Sequence, residues 1–333
     1  MTCGVIARGD AGGLAAQTGE MARHVSPAKI LLVDLGERGR GPTDRHRYDN
    51  YGAEVRVCEG IPKHADWQWL LTGVDCIYTA EATYDDSLAR RCADRDVELV
   101  IHANPELWRD SSRGPTTRVY LPTAWEARRV KDASVLPVPV ARDRLPFRQR
   151  TEAGTFLFPA GPAMKDRNGY SILMASLRHL RVNAKLVVSP WHREKVQRHS
   201  GYVNVEHRVG TPDYWTVYDD ADVLVLPRRY GGLSLPIQEA ASAGLAIVTL
   251  DLDPYRSFVH SAGLVGVTRP EKVPMKGGVF DVWGANPKEL ALVMRRLVAE
   301  PGLVAEMSAA SGAWAATLDW GLWEGEWRRT LRA

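Results

Sequence analysis

Short apolar runs, each closed by glycine, proline or charge, recur along the whole chain, and most stretches between them have helical periodicity. GVIAR (4–8), AKILLVDLG (28–36), AEVRVCEG (53–60), VDCIYTAE (74–81), VELVIHAN (97–104), TRVYLP (117–122) and SVLPVPV (134–140) read as seven strands. Runs without apolar–polar alternation, at this length, suit strands buried on both faces of a parallel sheet. A helix is expected from Leu14 to His24, and further helical stretches separate several of the strands. Arg142–Glu152 (RDRLPFRQRTE) breaks the pattern with charge and a proline, and a second series follows: TFLFPAG, a helix over 170–180, AKLVVSP, YVNVEHRV, a helix around 213–219, ADVLVLP and AIVTL. The remainder, from Asn286 onward, reads as helices. The expected fold is α/β, with two doubly wound, Rossmann-like domains. Residues 1–145 form the first and 146–310 the second; 311–333 form a last helix packing back toward the first. Trp314, Trp320, Trp323 and Trp327 lie at helical spacing in that tail and read as packing residues.

Asp219–Thr249 holds the densest chemistry. Between the runs ADVLVLP and AIVTL lies a helix with Pro236 in its first turn, small residues at Ala240, Ala241 and Ala243, and Gly244 where it should stop. The loop before it, Tyr230-Gly231-Gly232-Leu233-Ser234, pairs two glycines ahead of a helix N-terminus. Its amides can therefore approach an anion closely, with the helix dipole in support. Glu239, one turn into the helix, suits a ribose diol. A plain strand–helix–strand crossover with a glycine turn is the structural alternative.

This segment resembles the donor-site signature of GT-B glycosyltransferases, the branch that includes glycogen and sucrose synthases and bacterial mannosyltransferases. Gly232, Leu233, Ser234, Leu235, Pro236, Glu239 and Gly244 fall on the signature positions, and Gly231 stands where that family carries its first glutamate. The resemblance implies two domains facing across a cleft. It also implies transfer of a sugar, a hexose above all, from a nucleoside-diphosphate sugar to an acceptor hydroxyl. The nucleotide sugar is a co-substrate, and no cofactor or metal is implied. The family's two diphosphate-binding cations correspond to Pro162 and Asn168; Lys165 and Arg167 lie close by and could supply the charge, with Arg228 and Arg229 as further candidates. Tyr214 or Trp215 would line the nucleobase pocket. The resemblance places the glycine loop at Gly12 and Gly13 against the donor as well. Its spacing is not the GxGxxG dinucleotide fingerprint, so no NAD site is read there.

Candidate catalytic residues follow strands of the first domain. His102 resembles a histidine that the family places beside the transferred sugar, while Asp10 and Glu81 could serve as a general base toward an acceptor hydroxyl. Each could equally be hydrogen-bonded structure. Asp251-Leu252-Asp253 matches a DxD metal motif of another glycosyltransferase fold, and no metal is assigned to it.

Composition narrows the classes. With 45% hydrophobic and 25% charged residues the chain is of ordinary globular type, and no apolar run reaches membrane-spanning length. The start, MTCGVIARGDAGG, runs directly into a strand rather than a leader, which points to a cytoplasmic protein. Cys3, Cys58, Cys76 and Cys92 have no metal-ligand spacing and read as reduced, buried thiols. The net charge is only +3, but two loops of the first domain are basic and aromatic: Arg38, Arg40, Arg45, Arg47, Tyr48 and Tyr51 in one, Trp108, Arg109 and Arg113 in the other. Arg45, Arg47, Tyr48 and Arg109 are therefore acceptor-binding candidates for an anionic acceptor, a flipped, hydroxylated DNA base included. Arginines outnumber lysines 34 to 9, so any loop of this chain would look basic, and protein, lipid or small-glycoside acceptors stay open. A nucleotide-sugar epimerase of the same fold, or a non-catalytic sugar-nucleotide or nucleic-acid binding module, are the alternatives.

Overall fold

The computed structural model describes residues 2–10, 12–36, 43–49, 51–81, 83–160, 166–189, 203–207 and 215–332. These fall into two compact units, one of Met1–Pro139, Met275–Gly278 and Trp320–Ala333, the other of Val140–Pro274 and Val279–Asp319.

Unit 1 is built on seven parallel strands: β1 (Cys3–Arg8), β2 (Lys29–Asp34), β3 (Glu54–Glu59), β4 (Cys76–Ala80), β5 (Glu98–His102), β6 (Thr117–Leu121) and β7 (Ser134–Val135). Their order in the sheet is β3-β2-β1-β4-β5-β6-β7. β1, β2, β4 and β5 are almost wholly buried, because helices α1 (Gly13–Val25), α2 (His64–Leu71) and α3 (Leu88–Ala93) cover the sheet and no strand side needs polar residues. The seventh run is much shorter as a strand than its apolar length suggests: Pro137 and Pro139 have no amide to donate to a ladder.

Unit 2 repeats the plan with β8 (Thr155–Pro159), β9 (Ala184–Ser189), β10 (Val203–His207), β11 (Val223–Val225), β12 (Ala246–Leu250) and β13 (Leu264–Val265), in the order β10-β9-β8-β11-β12-β13. A hairpin, β14 (Glu271–Met275) and β15 (Gly278–Val282), forms a separate two-stranded sheet. Helix α4 (Tyr170–Ser176) is continued by a 3-10 turn over Leu177–His179 instead of reaching Leu180 as an α-helix. Helix α5 (Leu235–Ser242) joins β11 to β12, and α6 (Pro287–Ala299) and α7 (Pro301–Ala316) complete the cover. Around residue 215 the expected helix is a single 3-10 turn, Trp215–Tyr218. Trp314 stacks on Phe258 within this unit, with ring centroids 3.9 Å apart.

The last helix, α8 (Trp320–Leu331), belongs to unit 1. Its Trp320 and Trp327 enter that unit's core, and Trp327 donates its indole N–H to the Pro137 carbonyl at 3.1 Å. Arg328 donates to the carbonyls of His24 and Val25, supplying cationic donors to the open C-terminus of α1. All four cysteines are free and buried, and burial pushes the Cys58 thiol up to about 11 and the Cys92 thiol up to about 12. Among the described residues no helix is long and apolar enough to cross a membrane.

Candidate functional site

The strand order of unit 2 reverses between β8 and β11, and open α/β sheets bind ligands beyond the carboxyl ends of the strands at such a reversal. The loops leaving those two strands are fastened to each other. Arg229 N donates to the Arg167 carbonyl at 2.9 Å. Gly169, at φ +74°, packs so tightly that a Cβ there would stand 2.1 Å from the Pro227 carbonyl oxygen. Asn168, buried between the loops, donates its amide to the Ala160 carbonyl at 2.8 Å and accepts from Arg228 Nη1 at 2.9 Å. The other arm of Arg228 donates to the Leu233 carbonyl at 2.6 Å, which ties its guanidinium to the loop that opens α5.

Gly231 is the centre of this arrangement. Its φ is +105°, and a Cβ there would lie 2.6 Å from Arg167 Nη2 and 3.1 Å from Arg228 Nη2. Where the glutamate side chain of the resembling family would begin, two guanidiniums converge. The Arg167 guanidinium also lies 5.3 Å from the Tyr230 ring centroid, and Tyr255 donates its hydroxyl to the Gly231 carbonyl at 2.5 Å. Arg229 is turned aside: its Nε donates to the Trp283 carbonyl at 2.8 Å and Nη1 lies 3.7 Å from Asp166 Oδ2. Two cations brought to one point raise the local positive potential, which suits an anionic ligand. Helix α5 starts four residues after Gly231, at Leu235, with Ser234 at its N-cap; the Ser234 hydroxyl is buried and has no partner among the described residues.

Glu239 is 3% exposed, inside α5, and accepts a hydrogen bond from the Tyr218 hydroxyl. Tyr218 ends the 3-10 turn, and that turn is itself anchored by Arg150. The buried Arg150 guanidinium donates to the carbonyls of Tyr218 and Asp219, each at 3.3 Å, and of Ala243 at 3.4 Å. Trp215, in the same turn, is half-buried against the core of unit 2. Asp251 and Asp253 lie 3.1 Å and 3.6 Å from Arg256 Nε, which is an ion-pair arrangement. Among the described residues no three His, Cys, Asp or Glu side chains group to hold a metal. Lys165, Pro162, Tyr214, Arg38 and Arg40 lie outside the described residues.

In unit 1 the strand order reverses between β1 and β4, and the expected catalytic residues follow β1, β4 and β5. Asp10 is paired with Arg8 and accepts from the Gly12 amide at 3.3 Å, so a carboxylate of the chain itself occupies the start of α1, where Gly12 is the N-cap and Gly13 the first residue. Glu81, at φ +65°, donates its amide to the His102 carbonyl at 2.8 Å and accepts from Asn104 Nδ2 at 2.8 Å. The His102 ring faces the core. Its Nδ1 is 3.3 Å from the Tyr78 hydroxyl and its centroid 5.4 Å from that of Trp327. Burial pulls its pKa down to about 4, against a smaller upward pull from the Leu136 and Leu121 carbonyls, so the ring is neutral at physiological pH. Of the basic-loop residues, Arg45 and Arg109 are exposed, whereas Arg47 lays its stem along Gly19 of α1. Tyr48 is a core residue, its hydroxyl 3.5 Å from the Ala15 carbonyl, because the turn His46–Tyr48 points it inward.

Comparison with known proteins agrees with this fold. Residues 155–275, the span that contains both fastened loops and α5, match the family model "Glycosyl transferases group 1". Solved structures that share the fold over the full chain include HepE of Anabaena in complex with UDP-glucose, at 12% identity, TM-score 0.72 and 99% coverage of its chain. They also include sucrose-phosphate synthase of Thermosynechococcus elongatus, at 13% identity, TM-score 0.67 and 98% coverage. A trehalose-6-phosphate synthase matches at 10% identity and TM-score 0.64, with 99% of its chain covered. The chain has the two-domain GT-B fold. No curated protein sequence matches it.

Several partnerships in this candidate site have no signal in the sequence. Tyr218 and Tyr255 act through single hydroxyls from turns, and Arg150 acts through main-chain carbonyls up to 93 residues away. Asn168 and Arg228 are 60 residues apart, and only the adjacency of β8 and β11 brings them together.

Proposed function

We propose that the chain moves a sugar from a nucleoside-diphosphate sugar to an acceptor hydroxyl, with unit 2 holding the donor and unit 1 the acceptor. The observation that carries this is the convergence of Arg167 and Arg228 on Gly231, beside the N-terminus of α5. A diphosphate is an anion with several acceptor oxygens, and both guanidiniums offer it forked donors. The Ser234 hydroxyl adds a neutral donor. Glu239, steadied by Tyr218, accepts from the ribose diol. Arg229, which is spent on the Trp283 carbonyl and Asp166, and the Gly12 amide, which donates to Asp10, are assigned no donor contact.

As the glycosidic bond breaks, negative charge gathers on the leaving diphosphate. Guanidiniums already in place there lower the barrier without reorganising. We assign that charge stabilisation to Arg167 and Arg228 and propose no cofactor. A UDP-sugar is the first donor to try, since the structural neighbour HepE is complexed with UDP-glucose.

The test is turnover of a panel of UDP-, GDP- and ADP-sugars, followed as nucleoside diphosphate released with and without acceptors. Release that depends on acceptor supports transfer. Isomerised donor with no release indicates an epimerase, and binding without turnover indicates a binding module.

A further inference from the structure

Which hydroxyl compound the enzyme glycosylates is open on the reading above, and the β1–β4 end of unit 1 narrows it. Five side chains meet there. Arg8 is paired with Asp10, and Asn104 holds Glu81 at 2.8 Å. Tyr84 lies in the field of the other charges: burial chiefly pushes its phenol up, Arg8 pulls it down, and Asp10 and Glu81 push it further up.

The two carboxylates differ in what they leave open. Asp10 is buried, neutralised by Arg8 and further bound by the Gly12 amide. Glu81 is half-buried, and Asn104 is the only side-chain partner it has among the described residues. One carboxylate oxygen is held by Asn104; the other has no such partner. Asn104 supplies a second, independent sign. It is 7% exposed, its Nδ2 is fixed on Glu81, and its Oδ1 is buried with no hydrogen-bond partner among the described residues. A buried amide oxygen left unmatched is costly, and a donor that enters beside Glu81 relieves it. The backbone is strained at the same place: Glu81 and Tyr84 have φ of +65° and +60°, values that favour glycine or asparagine.

We propose that Glu81 and Asn104 together grip neighbouring hydroxyls of an uncharged carbohydrate acceptor. Glu81 touches the acceptor, and Asn104 acts both as its positioning residue and as an acceptor of a second hydroxyl proton. The charges favour a neutral ligand. Asp10 and Glu81 against Arg8 leave a net negative cluster, which repels a phosphate or a nucleic-acid backbone. A carboxylate beside an amide, by contrast, matches two hydroxyls on adjacent carbons. The exposed Arg45 and Arg109 belong to other loops and take no part. This inference rests on the proposed transfer function.

The experiment offers the full-length enzyme a mixture of UDP-, GDP- and ADP-sugars and an acceptor array of neutral glycosides, sugar phosphates and single-stranded oligonucleotides. Products are read by mass. The expected result is transfer to neutral glycosides. Glu81→Gln and Asn104→Leu should raise the acceptor KM about 10- to 100-fold while the donor KM changes less than about twofold, and Asn104→Gln should recover part of the loss. Glu81→Asn, which suits the left-handed backbone, should raise the melting temperature while it impairs acceptor use, a combination that a purely structural Glu81 would not give. The proposal is overturned if transfer goes only to phosphorylated members or oligonucleotides. It is equally overturned if no acceptor is used although donor binds, or if the Glu81 and Asn104 variants keep wild-type acceptor KM. Failure of every nucleotide sugar to bind would instead strike the donor reading, on which unit 2 is judged separately.

Discussion

Tyr218→Phe removes one oxygen and almost no volume, and it isolates the support beneath the proposed ribose contact. In the wild type the phenol donates to Glu239 Oε2, inside a carboxylate environment that is 3% exposed. A buried hydrogen bond to a charged group contributes about 1.5–3 kcal/mol, so the ligand-free protein should lose stability of that order. If unit 2 melts as one cooperative element, its midpoint should fall by roughly 3–10 °C. The donor effect is separate: a carboxylate freed from its phenol must be reordered when ribose binds, and the Kd for the cognate nucleoside diphosphate should rise about threefold to tenfold. Calorimetric titration of wild type, Tyr218→Phe, Glu239→Gln and the double variant forms a cycle. The coupling between the two positions should appear in binding as well as in stability. A midpoint that falls while Kd stays constant would reduce Glu239 to a structural residue. No change in either would refute the hydrogen bond itself.

Other predictions test different joints of the molecule. Gly231→Ala places a Cβ at φ +105° and 2.6 Å from Arg167 Nη2; it should cost ~1–2 kcal/mol in denaturant unfolding and weaken nucleoside diphosphate binding about tenfold or more, because Arg167 must move. His102 titrates near 4 when folded and near 6.5 when unfolded, so the unfolded chain binds the extra proton between those values. Stability should therefore fall as pH drops from 6.5 toward 4, by up to about 3 kcal/mol, and His102→Gln should flatten that limb of a pH series of urea melts. Arg150→Met strands three carbonyls at the turn that bears Tyr218, and it should destabilise unit 2 by at least ~2 kcal/mol in thermal melts while leaving unit 1 unchanged.

The architecture was largely open to reading from the sequence. A parallel sheet covered on both faces must be written as apolar runs, and twelve of the thirteen parallel strands carry one long enough to see; β13, of two residues, does not. Where the reading overran, the cause was local. Prolines stop β7 at Val135, and α4 tightens into a 3-10 turn at Leu177. The glycine pair before α5 was legible because its spacing is local. The site's cations were only partly so: Arg228 could be seen as basic, but not that Asn168 and Leu233 would fix it, since a sequence does not state which loops lie side by side. His102 at the end of β5 gave no hint that Trp327, from the last helix, would cover it. Tyr48, read as part of a basic rim, sits in an alternation too short to show that its turn faces inward.

The central claim is that Arg167 and Arg228, meeting over Gly231, hold a nucleoside diphosphate. Calorimetric titration of UDP, GDP and ADP into the wild type and into Arg228→Met measures it most directly, with a melting curve to show that the variant is folded. The account predicts that at least one of the three binds the wild type and that Arg228→Met weakens it about tenfold or more, the loss expected of a charge-assisted contact. It is contradicted if none of the three binds, or if a folded Arg228→Met binds as tightly as the wild type.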